Sequence, residues 1–258
     1  MPASLTLSEH LDVLASSGTR LADLALDAGL DALVPTCPDW TVDALVAHQA
    51  MVHRWAAAHV RGDDPDAVPD DTTIRATTDD LVEFYREGHR ALLAAFRDAA
   101  PDLEAITFLN DAPPPREFWA RRQAHETTIH MVDAFAASVG RLPTSNDIGV
   151  DAPVAIDGID ELLRGFLTRG RSKLYDGTEY TVVVAPIDSD RRWIVNVAER
   201  LTVQPDGADP NVGDADATLS GTAAQLYLAL WNRGDQVVAD GRADLLERWR
   251  VSQRISWN

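Results

Sequence analysis

The chain has 258 residues, 45% hydrophobic and 25% charged, an ordinary globular composition long enough for one large domain or two smaller ones, and two are expected. Its formal net charge of -18 and isoelectric point near 4.6 repel phosphate backbones and anionic membrane surfaces, which argues against nucleic-acid and membrane partners. Cys37 is the only cysteine, so no internal disulfide can form; with no basic leader ahead of an apolar run and no stretch of membrane-spanning length, a cytoplasmic protein is expected.

Thr6-Leu7-Ser8-Glu9 is a capping-box sequence, and Leu7, Leu11, Leu14, Leu21 and Leu24 then recur at helical spacing, predicting a first helix to about Gly29. After the break at Val34-Pro-Thr-Cys-Pro38, a second helix is expected from about Thr41 to Arg61, with Val42, Leu45, Val46, Val52 and Trp55 as its apolar stripe. The acidic, proline-marked stretch from Gly62 to Asp71 has the composition of a crossover loop. A third helix, about Thr78 to Ala99, buries Leu81, Phe84, Tyr85, Leu92 and Phe96, and Pro101 closes it. A fourth, Arg116 to Gly140, follows Pro113-Pro114-Pro115 and stops at a glycine. Four long helices with two extended connections predict a four-helix bundle, an architecture in which metal sites are built between facing helices.

On the fourth helix, Glu126 and His130 stand four residues apart and project from one face, so both can reach one metal ion. His125-Glu126 is not the start of a zincin motif, because Ile129 occupies the place of the second histidine. His48, midway along the second helix, is the candidate third ligand; the alternative is a core histidine satisfied by a hydrogen bond. His53, five residues on, points elsewhere. Arg122 and Asp133 share the face of Glu126: Arg122 is placed to neutralise it or to meet a substrate carboxylate, and Asp133 to orient a ligand, each with an ordinary surface role as the alternative. Trp40 and Trp119 are expected in the core, and Cys37 as a small structural residue rather than a nucleophile.

Beyond Gly140, Leu142 to Pro153 has the composition of a linker, followed by a helix from Ile156 to Arg169. Tyr180 to Ala185 and Trp193 to Val203 predict a β-hairpin around Asp188-Ser189-Asp190; Thr218 to Ser220 predicts a further strand, Ala223 to Trp231 a helix, and Arg242 to Arg250 the start of a last one. The expected division is a bundle over residues 1–142 and a small α+β domain over 153–258. All seven histidines precede the second domain.

The run Val34-Pro-Thr-Cys-Pro-Asp-Trp-Thr-Val-Asp-Ala-Leu-Val-Ala-His48, together with Phe118-Trp-Ala-Arg-Arg-Gln-Ala-His-Glu126-Thr-Thr-Ile-His130-Met-Val-Asp133, resembles the mycothiol-dependent maleylpyruvate isomerase family. The resemblance continues through Asp216 to Arg233. It implies a DinB-like four-helix bundle in which His48, Glu126 and His130 hold a divalent metal, most often zinc, and a sterol-carrier-like second domain that either binds an apolar ligand or walls a cleft. It further implies mycothiol as cosubstrate and an arginine, matched here by Arg233, offered to the site; the alternative for Arg233 is a cation favoured by a helix C-terminus.

Three protein ligands on a tetrahedral ion leave one position open, where a thiol loses its proton at neutral pH. With the mycothiol that the resemblance implies, the expected enzyme is an isomerase or S-transferase acting on a small electrophile, with the connections over residues 62–77 and 102–115 lining the cleft. A metal-hydroxide hydrolase and a non-catalytic metal- or ligand-binding module are the alternatives, and the ligand set also suits iron.

Overall fold

The computed structural model describes residues 5–204, 215–242 and 244–253. They fall into two compact units, one made of residues 5–107 and 113–143, the other of 108–112 and 144 onward.

The first unit is helical, and its helix ends follow local chemistry. Helix α1 (Leu7–Ala28) starts where the Thr6 hydroxyl accepts from the Glu9 backbone N–H and the Glu9 carboxylate accepts from the Thr6 N–H, the reciprocal capping box. Helix α2 (Val42–Arg61) ends at Gly62, in the left-handed conformation. A short 3-10 turn (Pro65–Ala67) leads to α3 (Asp71–Thr77), capped by Asp70. Asp80 caps α4 (Leu81–Asp98) through the Glu83 N–H. Helix α5 (Pro115–Val139) opens on a proline, whose missing N–H has no intrahelical partner to lose, and closes at Gly140 with φ 65°.

Helix α1 packs on α5 and α4, and α2 packs on α4 and α5, giving a four-helix bundle cored by Leu14, Leu21, Leu45, Leu92, Phe96, Phe118 and Val132. Helix α5 is buried on every side from Phe118 to Ala134, well beyond a single inward stripe. Gly18 permits a close approach of α1 and α4: a Cβ there would stand 2.3 Å from the imidazole Nε2 of His89, which donates to the Leu14 carbonyl at 3.0 Å.

Residues 62–70, expected as a crossover loop, are loop apart from the 3-10 turn, and the difference lies in the rest of the connection to α4. Instead of continuous loop it contains α3, which packs on α2, buries Ile74 and pairs Arg75 with Asp43. Seven residues span two turns, too few to display a periodic apolar stripe in the sequence.

The second unit is a five-stranded mixed sheet with helices. Short α6 (Ser145–Ile148) lies inside the expected linker, and α7 (Ala152–Asp160) runs on into a π-turn (Glu161–Phe166). Strands β1 (Tyr180–Pro186), β2 (Trp193–Val197), β3 (Thr202–Gln204) and β4 (Ala217–Gly221) follow, then α8 (Ala223–Leu230), β5 (Val238–Gly241) and α9 (Leu245–Ser252). The sheet order is β3-β2-β1-β4-β5, antiparallel except for the parallel pair β1–β4. Helices α7 and α8 pack together, and α8 also covers β1 and β4. The β1–β2 hairpin forms as the sequence predicts. The expected strand from Trp193 to Val203 is instead two strands, because the chain turns at the exposed Glu199-Arg200 and β3 pairs back on β2. Strand β5 carries little apolar patterning and gave no signal; it ends at Gly241, φ 88°, where a Cβ would lie 2.2 Å from the Asp216 carbonyl oxygen.

Candidate metal centre

Helix α2 delivers His48 and helix α5 delivers Glu126 and His130 to one place in the bundle. One ligand atom from each lies within 4.8 Å of the others, and all three residues are buried. The Glu126 Oε1 atom is 3.6 Å from His48 Nε2 and 3.3 Å from His130 Nε2. That oxygen is buried without a hydrogen-bond partner, whereas Oε2 accepts from the Arg122 guanidinium at 3.0 Å. A buried carboxylate oxygen facing two imidazole nitrogens is a donor set that fits a divalent ion, with mixed nitrogen and oxygen ligands suited to zinc or iron.

The electrostatics favour the ligand forms unequally. Burial pushes the Glu126 carboxyl up, but the approach of His130 and His48, and the Arg122 charge, outweigh it and hold this group well below the usual carboxylate range. Burial pulls His130 down, yet its contacts with Asp133 and Glu126 raise it to about 9. His53 is held well below its ordinary value by burial and then by the neighbouring His89. It is turned away from the centre, with Nε2 2.9 Å from the Thr127 hydroxyl and its ring 5.3 Å from those of Tyr85 and His89.

Around the three residues lies a second set of contacts. Asp133 is fully buried; its Oδ2 stands 3.0 Å from His130 Nδ1 and accepts from Cys37 Sγ at 3.6 Å, while its Oδ1 accepts from the Thr36 hydroxyl at 2.6 Å. Asp71, the first residue of α3, places Oδ2 3.7 Å from His48 Nδ1. Trp40, expected in the core, is half-buried at this centre, stacked on His130 with centroids 5.8 Å apart and tilted against His48 at 5.0 Å. Trp119 is in the core, its indole N–H donating to the Ile106 carbonyl. Thr36 and Trp40 lie within the run that carries the family resemblance but have no ligand spacing, and Asp71 lies outside it; each reaches the centre only through tertiary folding.

Arg122 and Asp133 therefore sit beside the triad, both buried. Arg233 belongs to the other unit, just after α8, where its guanidinium donates to the Trp231 carbonyl at 2.8 Å. Among the described residues no helix is long and apolar enough to cross a membrane.

Residues 11–135 match the family model described as mycothiol maleylpyruvate isomerase N-terminal domain, and residues 153–248 match the MDMPI C-terminal domain. The fold is similar to a crystal structure of the mycothiol-dependent maleylpyruvate isomerase, with a TM-score of 0.62 at 19% identity over 93% of this chain and 96% of that one. A histidine-to-alanine mutant of the mycothiol-dependent maleylpyruvate isomerase gives a TM-score of 0.64 at 18% identity, with the same coverage. No curated protein matches the chain.

Proposed function

The chain belongs to the mycothiol maleylpyruvate isomerase family of enzymes, and on that premise we propose that it is a metal- and mycothiol-dependent isomerase or S-transferase acting on a small electrophile. The observation that carries the metal reading is Glu126 Oε1, buried, without a hydrogen-bond partner, and facing both His48 Nε2 and His130 Nε2. A carboxylate oxygen held in a protein interior beside two imidazole edges at 3.3 and 3.6 Å, with no hydrogen bond formed to either, is costly to bury, and a cation held by these three residues offsets that cost.

These three residues would hold a divalent ion, zinc on this reading, which when bound would lower the pKa of mycothiol's thiol so that it is a thiolate at neutral pH. The chain's own residues do the rest. Glu126 and the Nε2 atoms of His48 and His130 bind; Arg122, through Oε2, fixes the plane of the carboxylate and balances its charge. Asp133 holds the Nδ1 side of His130 so that Nε2 faces inward. Trp40 shields one face of both imidazoles from water. Arg233 is proposed, on the family resemblance, as an arginine offered to the site.

Metal analysis of the purified protein tests this reading. About one divalent ion per chain is expected, with His48→Ala and His130→Ala each reducing occupancy to background after dialysis. Full occupancy in both variants would remove the proposed site.

A further inference from the structure

The two imidazoles of the centre share a feature the triad alone does not explain. Each turns Nε2 toward Glu126 Oε1, and each turns Nδ1 toward a carboxylate outside the triad: Asp133 for His130 at 3.0 Å, Asp71 for His48 at 3.7 Å. A carboxylate at Nδ1 favours the tautomer with the proton on Nδ1, which leaves the Nε2 lone pair directed at a cation. The two carboxylates are held very differently. Asp133 is fully buried and clasped by the Thr36 hydroxyl at 2.6 Å and by Cys37, so it ties the 29–41 connection to α5. Asp71 is 38% exposed on a short helix anchored by Ile74 and the Arg75–Asp43 pair, and its distance to Nδ1 exceeds a hydrogen bond.

We infer that Asp133 and Asp71 are positioning residues that set the tautomers of the two histidines unequally: Asp133, locked by Thr36, is the rigid determinant of metal affinity, and Asp71 is its weak counterpart. The consequence is an asymmetric centre. His130 is pre-organised, whereas His48 depends on the seating of α3 and is the ligand that yields first.

This inference rests on the metal reading, and the test separates the two. The full-length chain is stripped with chelator and reloaded with cobalt(II) or zinc; affinity is measured by chelator competition, and ligand geometry by the visible cobalt bands. Asp133→Asn, which keeps shape and removes charge, is expected to weaken zinc binding about 10–100-fold and to shift the cobalt bands. Thr36→Val, which leaves Asp133 in place but unclasped, is expected to cost about 2–10-fold, the range of one net hydrogen bond. Asp71→Asn is expected to stay within about threefold, since exposed ion pairs are weak. Far-ultraviolet circular dichroism of the metal-free variants should match that of the parent. If Asp133→Asn and Thr36→Val bind zinc like the parent with unchanged cobalt bands, the positioning role is overturned and the metal site stands; if Asp71→Asn costs as much as Asp133→Asn, the asymmetry is overturned. A parent protein that takes up no metal overturns the metal reading itself.

Discussion

On the proposed reading Glu126 carries two loads, a buried charge for Arg122 and a ligand oxygen for a cation, and substitution separates them. Glu126→Gln retains an acceptor for the guanidinium but removes the charge, and breaking one side of a buried ion pair costs about 3–5 kcal/mol, with the retained amide acceptor placing this change near the lower bound. The expected outcome is a lowered melting temperature with an unchanged helical spectrum at 25 °C, together with lost metal affinity; global unfolding would make Glu126 a purely structural residue. His130 yields a second prediction. In the metal-free protein it stays protonated up to about 9, because Asp133 and Glu126 outweigh the opposing effect of burial. A metal must therefore displace that proton. Calorimetry at pH 7 in buffers of different ionisation enthalpy should record about one proton released from this residue, and affinity should rise about tenfold per pH unit until the pH reaches its titration near 9.

At the scale of the helix, the ends of the long elements were legible because they are set by local chemistry. The Thr6–Glu9 box and Gly62 and Gly140 place boundaries within a residue or two of expectation. Helix α3 and strand β5 were not, and β3 was read only as the tail of β2, since each is held by its neighbours and not by an apolar pattern of its own: Ile74 under α2, Thr202 to Gln204 along β2, Val238 to Gly241 along β4. The same division applies to the candidate centre. The i, i+4 pair on α5 is a property of one helix and can be seen in the sequence, whereas Thr36, Trp40 and Asp71 are brought there by connections whose course no spacing encodes. Close helix contact is likewise a tertiary matter. Gly18→Ala would drive a methyl group into the His89 imidazole, and overpacking of this kind costs about 1–3 kcal/mol. Thermal denaturation should show a clear fall in midpoint; an unchanged midpoint would mean α1 and α4 can separate without cost.

Across the whole molecule, the buried histidines make stability depend on pH in both directions. His53 and His89 are depressed, burial being the leading cause for each, so folding keeps them neutral while the unfolded chain protonates them. Their contribution is fully present above about 6.5, the unfolded value, and is lost as the pH falls below it. His130 is raised, so its contribution to the metal-free protein is complete below about 6.5 and disappears as the pH climbs through about 9. Denaturant unfolding of the metal-free chain should thus weaken on both sides of neutrality, and His53→Gln should flatten the acid side. A metal-loaded sample should lose the alkaline decline, since His130 is then already deprotonated.

On the proposed reading, His48, Glu126 and His130 would hold a metal that binds the sulfur of mycothiol. Titrating mycothiol into the cobalt-substituted full-length protein tests it most directly. A thiolate-to-metal charge-transfer band in the near ultraviolet is expected, undiminished in Cys37→Ser and absent in His48→Ala; a cobalt-loaded protein that develops no such band with mycothiol would contradict the account.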